Sequence, residues 1–263
     1  MVVYDLHLSQ NLKRSMKDAI EFSQQKVSEI VMANPKSMSV FSKFGIDYCC
    51  GGKLSLELAC AKKHLDIAQV ELAIIQSALE LDDAPSGDEP QNWSLDRLAD
   101  HIVSKHHAFV AEQTPEILRL LDKVSRRHGD EHPELHEIHA IFQAVANELT
   151  IHMKKEELIL FPAIKHLAVV QRGDVSYRTP PFGSVANPIS MMEQEHESAG
   201  DGLDRIRSLT NNYVLPEGAC MSYAHTYQLL DAYEKDLHLH VHLENNILFP
   251  KAFALEIALL ASK

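Results

Sequence analysis

No stretch of about 18 consecutive apolar residues occurs in this 263-residue chain, so no membrane-spanning helix is expected. Its first residues, Met1 to Met16, lack an uninterrupted apolar core and a small-residue cleavage site, and do not read as a secretory signal. Glycine is scarce, at 10 residues, and long stretches carry neither Gly nor Pro, which disfavours a fold of many tight turns and favours helices. Basic residues are outnumbered: a net charge of -12 argues against nucleic acid or an anionic membrane surface as partner. Only four cysteines are present, Cys49, Cys50, Cys60 and Cys220. The first two are adjacent, with Cα atoms about 3.8 Å apart, below the usual disulfide range. No disulfide framework is expected, and a cytoplasmic location follows. The zinc-protease pattern His-Glu-x-x-His is also missing. Histidine, at 16 residues, is what the chain has in excess.

The acidic, breaker-rich run from Asp82 to Pro90 reads as a linker. It divides the chain into a small helical domain (1–81), the linker (82–92) and a larger helical region (93–263). In the first part, Leu12 to Met32 and Leu54 to Leu81 have helical patterns and flank the turn-like Asp47-Tyr48-Cys49-Cys50-Gly51-Gly52. The second part carries four helical patterns. One starts near an N-capping Ser94 and continues past Pro115, with a kink expected there. The others run from about Pro133 to Ile164, from Pro188 to Asn211-Asn212, and from Tyr223 to Leu248 with a helical tail. The loop from Gln171 to Asn187 reads as a surface excursion without a site. The fold expected is all-α, with four bundled helices after a small Cys-Cys domain.

Two segments stand out, His152-Met-Lys-Lys-Glu156 and His240-Val-His-Leu-Glu244, each followed by Ile-Leu-Phe-Pro. On a helix, positions i and i+4 lie on one face within about 5–6 Å, close enough to share a metal ion. Phe142, Val145, Leu149, His152, Glu156 and Ile159 share one seam, and Leu230, Tyr233, Leu237, His240, Glu244 and Ile247 repeat its spacing. These are core positions of amphipathic helices. The bland alternative, a pair of surface salt bridges, conflicts with that inward register. Buried carboxylates and imidazoles are costly unless paired or bound to a cation, and that cost is the physical case for metal.

The repeat locates two more candidate ligands. His196 shares a seam with Ile189, Met192, Ala199, Leu203 and Ile206. Moving back 89 positions lands on His107, and the two His-x-x-x-Glu segments are 88 apart. His106 is the competing choice, on a less apolar row. Six ligands, His107, His152, Glu156, His196, His240 and Glu244, are too many for one tetrahedral zinc. They suit two metals with both glutamates bridging. The mixed N/O set favours iron, with manganese second. The group His128, His132, His136 and His139 lacks a duplicated partner and reads as surface. His238 and His242 flank His240 on other faces of the helix and read as solvated or as neighbours behind the candidate ligands. Cys60 and Cys220 read as packed side chains.

With these residues in place, the chain resembles hemerythrin-type di-iron proteins, and more specifically the RIC (repair of iron centres) family. The matching runs are Asp47 to Lys53, His152 to Glu157, Glu195-His196-Glu197, Pro216 to Cys220 and Leu243 to Pro250. The resemblance spans roughly Lys26 to Ala252. It implies an up-down hemerythrin-like four-helix bundle in which the six residues above hold two iron ions, oxo- or hydroxo-bridged, with Glu156 and Glu244 as bridges. It also implies repair of iron–sulfur clusters damaged by oxidative or nitrosative stress, by supplying iron or handling NO. The partners implied are damaged iron–sulfur proteins and small ligands such as NO or O2. Glu148 and Glu195 are expected to line access to the metals or to transfer protons. Cys49 and Cys50 are either a structural turn or a thiol site. The alternatives are a hemerythrin-like module that binds or senses O2, NO or iron, and a di-iron NO reductase. Catalytic turnover and pairing into a homodimer are left open by the residues.

Overall fold

A computed structural model describes residues 22–79 and 88–261. The first 21 residues and most of the expected linker, through residue 87, lie outside the described residues. The chain divides into two compact units, the second beginning at Asn92.

The first unit contains α1 (Val27–Ala33), α2 (Ser37–Phe44), α3 (Leu56–Lys62) and α4 (Ile67–Leu79). Val27, Ile30, Phe41, Tyr48, Leu56, Val70 and Ile74 form its core. The helical pattern expected from Leu12 to Met32 is interrupted at Lys26, which forms an isolated antiparallel bridge with Ser55. The pattern from Leu54 to Leu81 is split as well. His64 adopts a left-handed conformation (φ 55°), and Asp66 Oδ1 then accepts the Ala68 N–H at 3.0 Å, which starts α4 afresh. A short polar side chain competing for backbone donors overrode the apolar periodicity.

The second unit is built from four helical rods. The first joins α5 (Leu95–Ile102) to α6 (Ala108–His128), which runs through Pro115. The second joins α7 (Glu134–Lys155) to α8 (Phe161–Gln171). The third is α9 (Ala186–Leu209), and the fourth joins α10 (Met221–Leu243) to α11 (Phe249–Ala261). Each rod packs on the next in chain order, and the fourth returns against the first, an up-and-down bundle. The approach of α9 to α7 is close: a Cβ on Gly202 would stand 2.5 Å from Val145 Cγ2. Among the described residues there is no strand, and no helix is long and apolar enough to cross a membrane.

Three of the rods are joined by single π-turns, Val103–His107, Glu156–Leu160 and Glu244–Leu248. In each the backbone N–H reaches back five residues, from Ala108 to Val103, from Phe161 to Glu156 and from Phe249 to Glu244. A π-turn accommodates one residue more than an α-turn and shifts everything after it. The expected seam therefore fails at Ile159, which is half exposed, while Leu160 and Phe161 are buried.

The loop before α9 is not the plain surface excursion that its composition suggests. Glu256 on α11 is fully buried and accepts hydrogen bonds from Tyr177 Oη (3.0 Å), Ser184 Oγ (2.5 Å) and the Val185 N–H (3.1 Å). At the far end, buried Glu234 is met by Arg207 Nε at 2.8 Å and Tyr213 Oη at 2.7 Å. That pair of contacts stabilises the turn after α9, where Asn211, Asn212 and Tyr213 are all left-handed.

Candidate metal centre

The fold brings the six sequence-derived candidates together. His107, Glu156, His240 and Glu244 form one group and His152, Glu156, His196 and Glu244 a second, each with ligand-capable atoms within 4.8 Å of one another. Both glutamates belong to both groups. Each lies at the first position of a π-turn, so the carboxylates leave their rods where the helix is locally widened. All six residues are buried, and the two glutamates are fully so.

Hydrogen bonds on the outer side of the rings fix which nitrogen faces inward. His107 Nδ1 donates to Glu157 at 2.8 Å, His152 Nδ1 to Glu195 at 2.9 Å, and His196 Nδ1 to Asn245 Oδ1 at 2.9 Å. Carboxylate and amide oxygens accept, so Nδ1 carries the proton and Nε2 presents its lone pair to the centre. Glu157 and Asn245 were not anticipated. Each follows a candidate bridging glutamate by one position and the two are 88 apart, so the repeat already held the signal.

The inward atoms make a poor hydrogen-bond network and a good ligand set. Glu156 Oε2 lies 3.3 Å from Nε2 of both His107 and His152, yet neither oxygen of Glu156 has a hydrogen-bond partner, and neither do Glu244 Oε2 and His107 Nε2. His152 and His196 face each other Nε2 to Nε2 at 2.9 Å, which needs a proton or a cation between two lone pairs. Buried polar atoms that converge without satisfying one another mark a place for an ion. The donors are imidazole nitrogen and carboxylate oxygen without thiolate, and the groups fit an iron-binding site.

Electrostatics point the same way. Burial opposes charge on Glu156, and so does Glu244, but the imidazoles of His152 and His107 hold its carboxyl below the usual range. Burial also opposes charge on Glu244, and His240 and His196 outweigh it, holding that carboxyl well below its ordinary value. His152 would be pushed down by burial, yet Glu156 and its other acidic neighbours raise it to about 9. Burial, only partly offset by Glu244, lowers His240.

The remaining candidates are distributed unequally. Glu195 bridges His152 and Lys155, and with Glu148 it lines a cavity of about 380 Å³ beside that ring. Another cavity, of about 460 Å³, reaches His107 and Glu157 between α6 and α7. His106 is buried but sends Nδ1 to Asp236 Oδ1 at 3.0 Å and is in neither group. His242 is buried rather than solvated, its Nδ1 3.0 Å from Asn246 Nδ2. Cys220 is exposed, not packed, 3.2 Å from His128 Nε2.

In the first unit Asp47 organises the Cys-Cys turn. Its Oδ1 accepts the N–H groups of Cys49 (2.9 Å) and Cys50 (3.0 Å), and Oδ2 that of Gly51 (2.7 Å). A Cβ on Gly51 would crowd that carboxylate at 3.1 Å, which favours glycine there. Cys49 is buried, its Sγ 3.1 Å from Asp47 and 3.9 Å from Cys50 Sγ. The hydrogen bond with Cys50, burial and the Asp47 charge all raise its thiol well above the ordinary range. Cys50 is half-buried.

Residues 98–252 match the family described as the hemerythrin HHE cation binding domain. Residues 23–78 match ScdA_N, described as a domain of unknown function. A protein of Haemophilus influenzae named as a probable iron–sulfur cluster repair protein is 35% identical over 235 residues, covering 88% of this chain and 98% of its own. The iron–sulfur cluster repair protein YtfE of Yersinia pseudotuberculosis is 38% identical over 234 residues, covering 89% and 98%. That of Musicola paradisiaca is 36% identical over 236 residues, with the same coverage.

Proposed function

The chain belongs to the family of iron–sulfur cluster repair proteins that carry a hemerythrin HHE domain, and from that membership we propose that it repairs iron–sulfur clusters damaged by oxidative or nitrosative stress, using two iron ions held by the six buried residues. The observation that carries this reading is the pair of buried His/His/Glu/Glu groups with Glu156 and Glu244 in common. His107 and His240 would hold one iron and His152 and His196 the other, with the two glutamates shared. Bound iron supplies an exchangeable, redox-active cation with affinity for NO and O2.

The chain's own residues do the rest. Glu157, Glu195 and Asn245 fix the rings so that Nε2 faces the centre, and the buried surroundings keep bulk water away from it. Lys155 holds Glu195 beside His152, at the cavity that Glu148 also lines, so a proton or small ligand arriving there meets a carboxylate first. Cys50 is the thiol of the Cys-Cys pair open to a client protein or to NO, while Cys49 is kept protonated as part of the turn. None of the four cysteines forms a disulfide, which suits a reducing cytoplasm.

The test mixes the purified iron-loaded protein with a [4Fe–4S] enzyme inactivated by NO and follows its activity, against an equal amount of free ferrous iron. Recovery beyond that control is expected. No recovery, together with tight reversible O2 or NO binding, would sink the repair reading in favour of a binding or sensing module.

A further inference from the structure

The internal repeat is broken beside the candidate ligands, and the break has a consequence. Glu148 and Glu195 line the cavity beside His152. Their repeat equivalents, 88 and 89 positions away, are Asp236 and His106. Where one His/Glu group has two acids at an opening, the other has a carboxylate and an imidazole hydrogen-bonded to each other at 3.0 Å. His240 differs accordingly. The other three candidate ligand rings each give Nδ1 to a side-chain oxygen, whereas His240 Nδ1 has no hydrogen-bond partner and the ring lies parallel to His106, centroids 5.6 Å apart and 10° from coplanar.

From His106 the rings continue outward. His101 meets it edge-on at 5.8 Å, and Trp93 meets His101 edge-on at 4.8 Å. Trp93 is the single tryptophan of the chain and is half-buried, with the Arg97 guanidinium 4.2 Å over its ring. A file of four aromatic rings thus leads from the surface to a candidate iron ligand.

We propose that Trp93, His101 and His106 form the route by which a one-electron carrier protein, of iron–sulfur or flavin type, reduces the iron centre; this rests on the di-iron reading above. The step is balanced simply: the carrier is oxidised by one electron, one ferric ion becomes ferrous, and no bond is made or broken. Tunnelling weakens exponentially with the gap between π-systems, and this file keeps every gap to a ring contact. A carrier protein cannot enter the cavity of about 460 Å³ at His107, so it must deliver its electron through the protein. A small reductant such as dithionite can use that cavity and needs no rings.

The experiment is anaerobic stopped-flow reduction of the full-length, ferric-loaded protein, followed by loss of its visible ferric absorption, with reduced [2Fe–2S] ferredoxin in one series and dithionite in the other. Trp93→Leu and His101→Ala should slow the ferredoxin reaction about tenfold, equivalent to 1.4 kcal/mol in the barrier. His101→Phe, which keeps a ring in place, should recover most of the rate. Iron content, reduction potential and the dithionite rate should not change. Unchanged ferredoxin rates in variants with full iron content would overturn the ladder while leaving the iron centre intact. Equal slowing with both reductants would also overturn it, since the fault would then lie at the metal. Failure of the parent protein to hold iron would remove the di-iron reading and the ladder with it.

Discussion

A metal ion binding at His152 would have to displace a proton from its ring. Burial alone would lower its affinity for that proton, but the neighbouring Glu156, Glu244 and Glu195 carboxylates raise it to about 9. A histidine raised in the folded state stabilises that state fully below its ordinary value of about 6.5 and loses the contribution as pH climbs through about 9, on the order of 3 kcal/mol for this shift. A bound metal needs the neutral ring, so metal binding and protonation compete. His240 is pushed the other way and is already neutral at neutral pH. The melting temperature of the metal-free protein should therefore fall relative to the iron-loaded protein between pH 6.5 and 9, widening the gap between them. A gap that narrows over that window in paired thermal melts would contradict the assignment of His152. At this scale much could be read in advance. All six candidate ligands follow from one repeated motif and its register. The outer partners were harder, because nothing in a heptad pattern says that Glu157 reaches across to another rod.

At the scale of elements, the π-turns explain what periodicity could not. A helix pattern assumes a constant number of residues per turn, and Glu156–Leu160 carries one more. Ile159 falls outside for that reason, and Leu158 is 75% exposed. Deleting Leu158 would restore regular α geometry: Leu160, Phe161 and Ile164 would then stand three, four and seven places beyond Glu156 and still face the core. The variant should remain helical by circular dichroism but lose the widened turn at Glu156, and iron bound per chain should fall by about half or more if the carboxylate contributes to both ions. Full iron content in a folded deletion variant would show that the turn is not needed to place the glutamate. One of the helix breaks in the first unit has a local cause as well. At Asp66 a side chain supplies the backbone with an acceptor that regular helix does not need, and such local competition is invisible to apolar spacing.

At the scale of the whole molecule, the chain joins two units with separate cores, and every residue of both His/Glu groups lies in the second. The fold class and the bundle were legible because the rods are long, amphipathic and poor in Gly and Pro. The candidate site was legible because it was written twice. What the sequence pattern hid are the places where the two copies differ, His106 and Asp236 against Glu195 and Glu148, since a repeat is found through its likenesses. The central claim is that two ions share Glu156 and Glu244, and the most direct measurement is the iron-to-chain ratio of anaerobically loaded, desalted protein. Two irons per chain are expected for the parent and one or fewer for Glu156→Leu with helix content intact. Two irons persisting in that variant would contradict the shared centre.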